Sequence, residues 1–241
     1  MVKLCLLFSL LASFAYAQQP PKIKITPLTK GFYIHTTFRT WQGTLVPSNG
    51  IIAQTDEGVV LVDTGWDVPD DQNQTEQLLD WIEQNLHQPV RMCIVTHFHD
   101  DRVGGIATLR KAGVRVVSTP LTAESAAKKG YERPEGILSN DTTLVVGKLP
   151  IRCFFPGPGH SFDNIVVYFP TAKLLHGGCF VKSYAAMGLG NLSDANLNEW
   201  ANSIRRLQRT FPNPKFVIPG HDEWDQISSL ENTLRLLKMK K

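Results

Sequence analysis

The chain has 241 residues, with 25 Lys and Arg against 22 Asp and Glu, and 42% hydrophobic residues. That length suits one large domain or two small ones, and the apolar share can build a sizeable core. It excludes a disordered chain, which combines low hydrophobicity with high net charge. A formal charge of +3 gives no pull toward nucleic acid, whose binders concentrate basic residues on one face.

Residues 1–17 form a unit of their own. Lys3 is its only charge, Leu4 to Phe14 is apolar apart from Ser9 and Ser13, and Ala15-Tyr16-Ala17 ends it small-x-small. This is the layout of a secretory signal peptide. The run is shorter than the roughly 20 residues of a spanning helix, and Cys5 lies inside it, so no membrane or lipid anchor is indicated. The mature chain is expected to start at Gln18, with 18–241 as one domain acting in the periplasm. Cys93, Cys153 and Cys179 then remain, an odd set in an oxidising compartment. Bridges therefore do not hold this fold, and at least one thiol stays free or is protected, as by a metal.

Downstream, Ile23 to Thr26, Gly31 to Thr37, Gly50 to Thr55 and Val59 to Val62 read as strands, with Asp56-Glu57-Gly58 as a hairpin turn. From Asp71 the period becomes helical through Leu78, Leu79, Ile82 and Leu86. Met92 to Val95 reads as a buried strand, Ile106 to Ala112 as a helix, Val114 to Val117 as a strand and Thr122 to Lys129 as a helix. Strands follow at Thr143 to Val146, Ile151 to Phe155, Ile165 to Phe169 and Leu174 to Leu175. Ser193-Asp194 is expected to cap a helix whose apolar stripe is Leu197, Trp200, Ile204, Leu207 and Phe211. A strand at Phe216 to Ile218 and a helix over Ile227 to Lys238 complete an α/β pattern of sheets covered by helices.

Four segments join the end of an apolar run to a polar, Gly-rich turn: Thr96 to Gly105 (THFHDDRVGG), Gly157 to Ser161 (GPGHS), Gly177-Gly178-Cys179, and Pro219 to Asp222 (PGHD). Functional side chains gather where strands end in α/β folds. In extended backbone, residues i and i+2 share a side about 6.6–7 Å apart, so His97 and His99 can converge on one ion. Asp101 would lie some ~13 Å from His97 if the chain stayed straight, which suits a carboxylate directed to a second, nearby metal. His160, His221 and Cys179 complete a nitrogen, sulfur and oxygen set that suits zinc better than magnesium or calcium. His35, His87 and His176 are expected to have surface or packing roles.

These motifs, in this order, resemble the metallo-β-lactamase superfamily over residues 18–241. The match looks closest to the secreted class B zinc β-lactamases of the broad-spectrum subclass. Many superfamily hydrolases have HxHxDH and a bridging aspartate; here those positions are Arg102 and Cys179. The resemblance implies an αββα sandwich of two mixed sheets with helices on the outer faces. It implies two Zn2+ per chain, one held by His97, His99 and His160 and the other by Asp101, Cys179 and His221. It also implies hydrolysis of the β-lactam amide of penicillins, cephalosporins and carbapenems by a metal-bound hydroxide, giving antibiotic resistance. Asp101 would orient the nucleophile, Asn191 would hold the lactam carbonyl, and Lys182 would bind the substrate carboxylate. Asp63, in the Asp63-Thr64-Gly65 turn, either orients a ligand or simply ends a strand. Phe38 and Trp41 either form a flap over the substrate or pack into the core. The expected partner is a small β-lactam, with no nucleic acid, and the protein is expected to be a monomer. A lactone or thioester substrate and a purely structural zinc site are the competing readings. Lys182 and the Gly188–Ala195 loop speak against the first. Two open groups of three ligands speak against the second.

Overall fold

A computed structural model describes residues 22–67 and 73–240; the leader expected over 1–17 lies outside the described residues. The chain runs β1 (Lys24–Thr29), β2 (Phe32–Trp41), β3 (Thr44–Thr55), β4 (Gly58–Val62), α1 (Gln74–Leu86), β5 (Val90–Ile94), α2 (Asp100–Val103), α3 (Ile106–Lys111), β6 (Arg115–Ser118), α4 (Pro120–Lys128) and β7 (Glu135–Gly136). It continues through β8 (Asp141–Val146), β9 (Leu149–Phe154), β10 (Val166–Phe169), β11 (Leu174–Gly178), α5 (Leu197–Thr210), β12 (Phe216–Pro219) and α6 (Ser229–Met239). One sheet has the order β1-β2-β3-β4-β5-β6-β7, the other β12-β11-β10-β9-β8. Both are mixed: β4, β5, β6 and β7 run parallel, as do β11 and β12, while the other pairs are antiparallel.

Side-chain alternation builds four layers. Along β3, Ile51 joins Ile34, Val62 and Ile94 between the sheets, whereas Ile52 faces Leu61, Leu78 and Ile82 under α1. Along β10, Val167 points between the sheets, whereas Val166 points at Trp200, Ile204 and Leu207 of α5. Successive strand residues face opposite ways, so a strand covered on both faces must be apolar throughout, as the fully buried GVVLV of β4 is. The expected αββα sandwich is the observed architecture. Among the described residues no helix is long and apolar enough to cross a membrane.

Three local expectations change. Strands β2 and β3 extend to Trp41 and Thr44, so the polar stretch between them is a long hairpin turning at Gln42-Gly43. Helix α5 is capped by Asn196, whose side chain accepts from the Glu199 N–H at 3.1 Å, and not by Ser193-Asp194. The backbone after His99 does not stay extended: His99 is the last extended residue, and α2 begins at Asp100. Cys93 and Cys153 are free buried thiols in different sheets: Cys93, on β5 of the first, lies under its helices, and Cys153, on β9 of the second, lies between the sheets.

Candidate metal centre

The site lies at the ends of strands. His97 and His99 follow β5, Cys179 follows β11 and His221 follows β12, while His160 comes from the β9–β10 connection. Two glycines make this possible. Gly178 adopts φ +52 just before Cys179, a conformation side chains resist. At Gly105, a Cβ would collide with the Thr75 hydroxyl, so only glycine lets α2 turn back against α1. That turn, absent from a straight-strand reading, brings Asp101 to the same centre as the histidines.

The six expected ligands come together in two adjoining groups. His99 Nδ1 lies 3.1 Å from His97 Nε2 and 3.0 Å from His160 Nε2. Cys179 Sγ lies 3.0 Å from His221 Nε2 and 3.3 Å from Asp101 Oδ2, and His221 Nε2 is 3.2 Å from that same oxygen. Ligand atoms of His97, His99 and Asp101, of Asp101, Cys179 and His221, and of His97, His160 and Cys179 each fall within 4.8 Å of one another.

The surrounding hydrogen bonds orient three of the four rings. His99 Nε2 faces the Asp194 carboxylate at 3.1 Å, so it carries the proton and leaves Nδ1 as a lone pair. His221 Nδ1 donates to the Pro47 carbonyl at 2.6 Å, so Nε2 is the nitrogen turned toward Cys179 and Asp101. Thr96 Oγ1 gives its proton to Asp63 at 3.0 Å, so it accepts from His97 Nδ1 at 3.3 Å, leaving Nε2 bare. Burial, together with the neighbouring His99, holds His97 well below the usual histidine range. Burial and the Lys182 charge do the same to His160. The bare His97 Nε2 and His99 Nδ1, 3.1 Å apart, repel one another unless a cation sits between them, and a tetrahedral zinc with 2.0–2.1 Å bonds would space its donors about 3.3 Å apart. The residues present therefore fit zinc.

The second group is anionic and is held by a cation that the motif pattern registers only as a departure. Arg102 is fully buried; Nη2 lies 2.9 Å from Asp101, 2.9 Å from Cys179 Sγ and 2.8 Å from the Gly220 carbonyl. Its Nη1 reaches the Asn49 carbonyl at 2.7 Å and Asp63 at 3.3 Å. Burial alone would raise the Asp101 carboxyl, but Arg102 and His221 hold it well below the usual carboxylate range. Burial works against charge on His221 as well, yet Cys179 and Asp101 push its imidazole up to about 10 while no metal binds.

Asp63 is more than a strand-end turn. Its buried carboxylate takes the Thr96 N–H at 2.8 Å, His176 Nε2 at 3.0 Å and Arg102, so it braces ligands of both groups. His176 therefore packs under the site, His35 is buried against the Val62 carbonyl, and His87 ends α1 in a left-handed conformation.

Both groups open into a cavity of about 790 Å3. Lys182 and Asn191 line it, as do Arg39 and Trp41. The Lys182 ammonium stands 5.4 Å from the Trp200 ring centre, and burial lowers its pKa from the ordinary lysine value. Asn191 Oδ1 accepts from the Ser193 N–H at 3.0 Å, which leaves its amide N–H2 as the free end. Trp41 is 58% exposed, with the Arg39 guanidinium 5.6 Å from its ring centre. Phe38 is not part of the cavity wall. Three residues along the same strand from Trp41, it faces the other way, and the Gln74 amide holds its N–H and C=O at 2.6 and 2.7 Å.

Residues 43–221 match the model of the metallo-beta-lactamase superfamily. The chain is 43% identical over 216 residues to the metallo-beta-lactamase type 2 of Bacillus cereus, covering 90% of this chain and 83% of that protein. It is 35% identical over 223 residues to the enzyme of the same name from Elizabethkingia meningoseptica, covering 92% and 88%. A solved metallo-beta-lactamase from Pontibacter korlensis has a TM-score of 0.85 at 44% identity, covering 90% of this chain and 99% of that one. With the two sheets, the buried donor groups and these matches in agreement, the chain belongs to the metallo-β-lactamase superfamily.

Proposed function

We propose that this protein is a zinc β-lactamase that hydrolyses the amide bond of penicillins, cephalosporins and carbapenems, with two zinc ions per chain, as a monomer in the periplasm once residues 1–17 are removed. The observation that carries this reading is the pair of adjoining ligand groups opening into one cavity with a buried lysine at its edge. Zinc, held by His97, His99 and His160 and by Asp101, Cys179 and His221, supplies Lewis-acid polarisation and lowers the pKa of bound water toward about 7.

The chain's own groups do the rest. Lys182 receives the substrate carboxylate as a point charge, and its burial strengthens that attraction. The free amide end of Asn191 donates to the lactam carbonyl oxygen as negative charge develops there. Asp101, kept ionised by Arg102, accepts a hydrogen bond from the attacking water and so orients it. Trp41 at the hairpin turn covers an apolar substituent. Cys179 is engaged by Arg102, Asp101 and His221, so it is no free nucleophile and water attacks directly.

The test is hydrolysis of a penicillin and a carbapenem by the purified protein, with metal content measured before and after a zinc chelator. The expected result is close to two zinc ions per chain, activity lost on chelation and recovered with zinc. Hydrolysis that survives complete metal removal would overturn the reading.

A further inference from the structure

The cavity mouth carries a cation that neither the metal centre nor the proposed reaction uses. Lys129 follows the last residue of α4, is exposed, and lines the cavity. Its ammonium lies 5.9 Å from the centre of the Phe98 ring, which meets His99 edge-on with centroids 4.6 Å apart. Lys182 lines the same cavity, with its ammonium against Trp200 and not against Phe98. The cavity therefore has two ammonium groups, each held against a different ring.

Two of the carboxylates that line the cavity with Lys129 are already engaged. Asp100 pairs with Arg39 at 2.5 Å. Asp194 faces Lys129 but takes His99 Nε2 at 3.1 Å and the Ser193 hydroxyl at 3.0 Å. Among the described residues no carboxylate comes within ion-pair distance of the Lys129 ammonium. In a bicyclic β-lactam, the ring carboxylate and the acylamino group are attached near opposite ends of the scissile amide. Arg39, Lys129 and Tyr131 line the same cavity as Lys182, so a substrate whose ring carboxylate sits at Lys182 has its acyl chain left to meet the remaining wall.

Resting on the proposed β-lactamase activity, we propose that Lys129 forms a second anion subsite, which favours β-lactams bearing a further carboxylate on the acyl side chain. Because this ammonium is exposed, its contribution is that of a surface ion pair, screened by salt and worth a few-fold in binding.

The experiment compares two penicillins, one with a phenylacetyl side chain and one with the same chain carrying an α-carboxylate. KM for each is measured with the zinc-loaded wild type, Lys129→Gln and Lys129→Arg. The expected result is that the dianion-to-monoanion KM ratio rises about threefold in Lys129→Gln, returns in Lys129→Arg, and rises in the wild type at high salt. A ratio unchanged by Lys129→Gln overturns the subsite. If the wild type hydrolyses neither penicillin, the β-lactamase reading itself fails and takes this inference with it.

Discussion

Asp194 shows how much of a metal site rests on residues that touch no metal. By taking the His99 Nε2 proton it turns the Nδ1 lone pair inward, and such partners typically govern metal affinity by 10–100-fold. Asp194→Ala is therefore expected to weaken zinc binding by about tenfold or more while leaving the Asp101, Cys179 and His221 group intact. A zinc titration checks it, and unchanged affinity would contradict the assigned role. Lys182 belongs to the same scale. Hydrogen bonds to charged groups are worth about 1.5–3 kcal/mol, so Lys182→Ala is expected to raise KM for carboxylate-bearing β-lactams by about 10–100-fold with a smaller change in kcat. An equal loss on an uncharged lactam would rule out that contact.

At the scale of elements, the cap of α5 offers a clean test. The motif Ser193-Asp194 looks like a helix start, yet the chain passes through Leu192 to Asn196 before the first helical residue, and Asn196 supplies the capping oxygen. Ser193 and Asp194 are spent on the site instead, with the Ser193 hydroxyl on the Asp194 carboxylate. Asn196→Ala is expected to cost about 1 kcal/mol in urea unfolding, and Ser193→Ala much less. Equal losses would return the cap to Ser193. The β2–β3 hairpin makes a similar point. Strand alternation puts Arg39 and Trp41 on one face and Phe38 on the other, so the two aromatic residues cannot both cover the cavity.

For the whole molecule, the buried histidines tie stability to pH. His35 sits fully buried against the Val62 carbonyl, near Asp63, His176 and Arg102; burial outweighs the other effects and lowers its pKa to about 4. The unfolded chain, with a value near 6.5, binds this proton more readily. The contribution of neutral His35 is thus present above about pH 6.5 and is lost as pH falls toward 4. Between pH 7 and 5 it should cost about 2 kcal/mol. Burial also lowers His176 in the same direction, so the contrast must be made against a variant. Urea midpoints at the two pH values should fall further in the wild type than in His35→Gln, and an identical fall in both would exclude His35 as the source.

The sequence alone determined the donor chemistry, the alternation of strands and helices, and the six candidate ligands, because each of them sits in a short motif at the end of an apolar run. It left the partners of those ligands unread. Arg102, Thr96, His176 and Asp194 act through atoms supplied by distant strands and loops, such as the Gly220 and Asn49 carbonyls that share Arg102. Local periodicity carries no record of such contacts. Tertiary structure also decided where Asp101 points, since a turn at α2 and the close approach of Gly105 to Thr75 override the straight strand that spacing suggests. It likewise put Cys93 and Cys153 in different sheets and different core layers, a separation set by sheet topology and strand alternation.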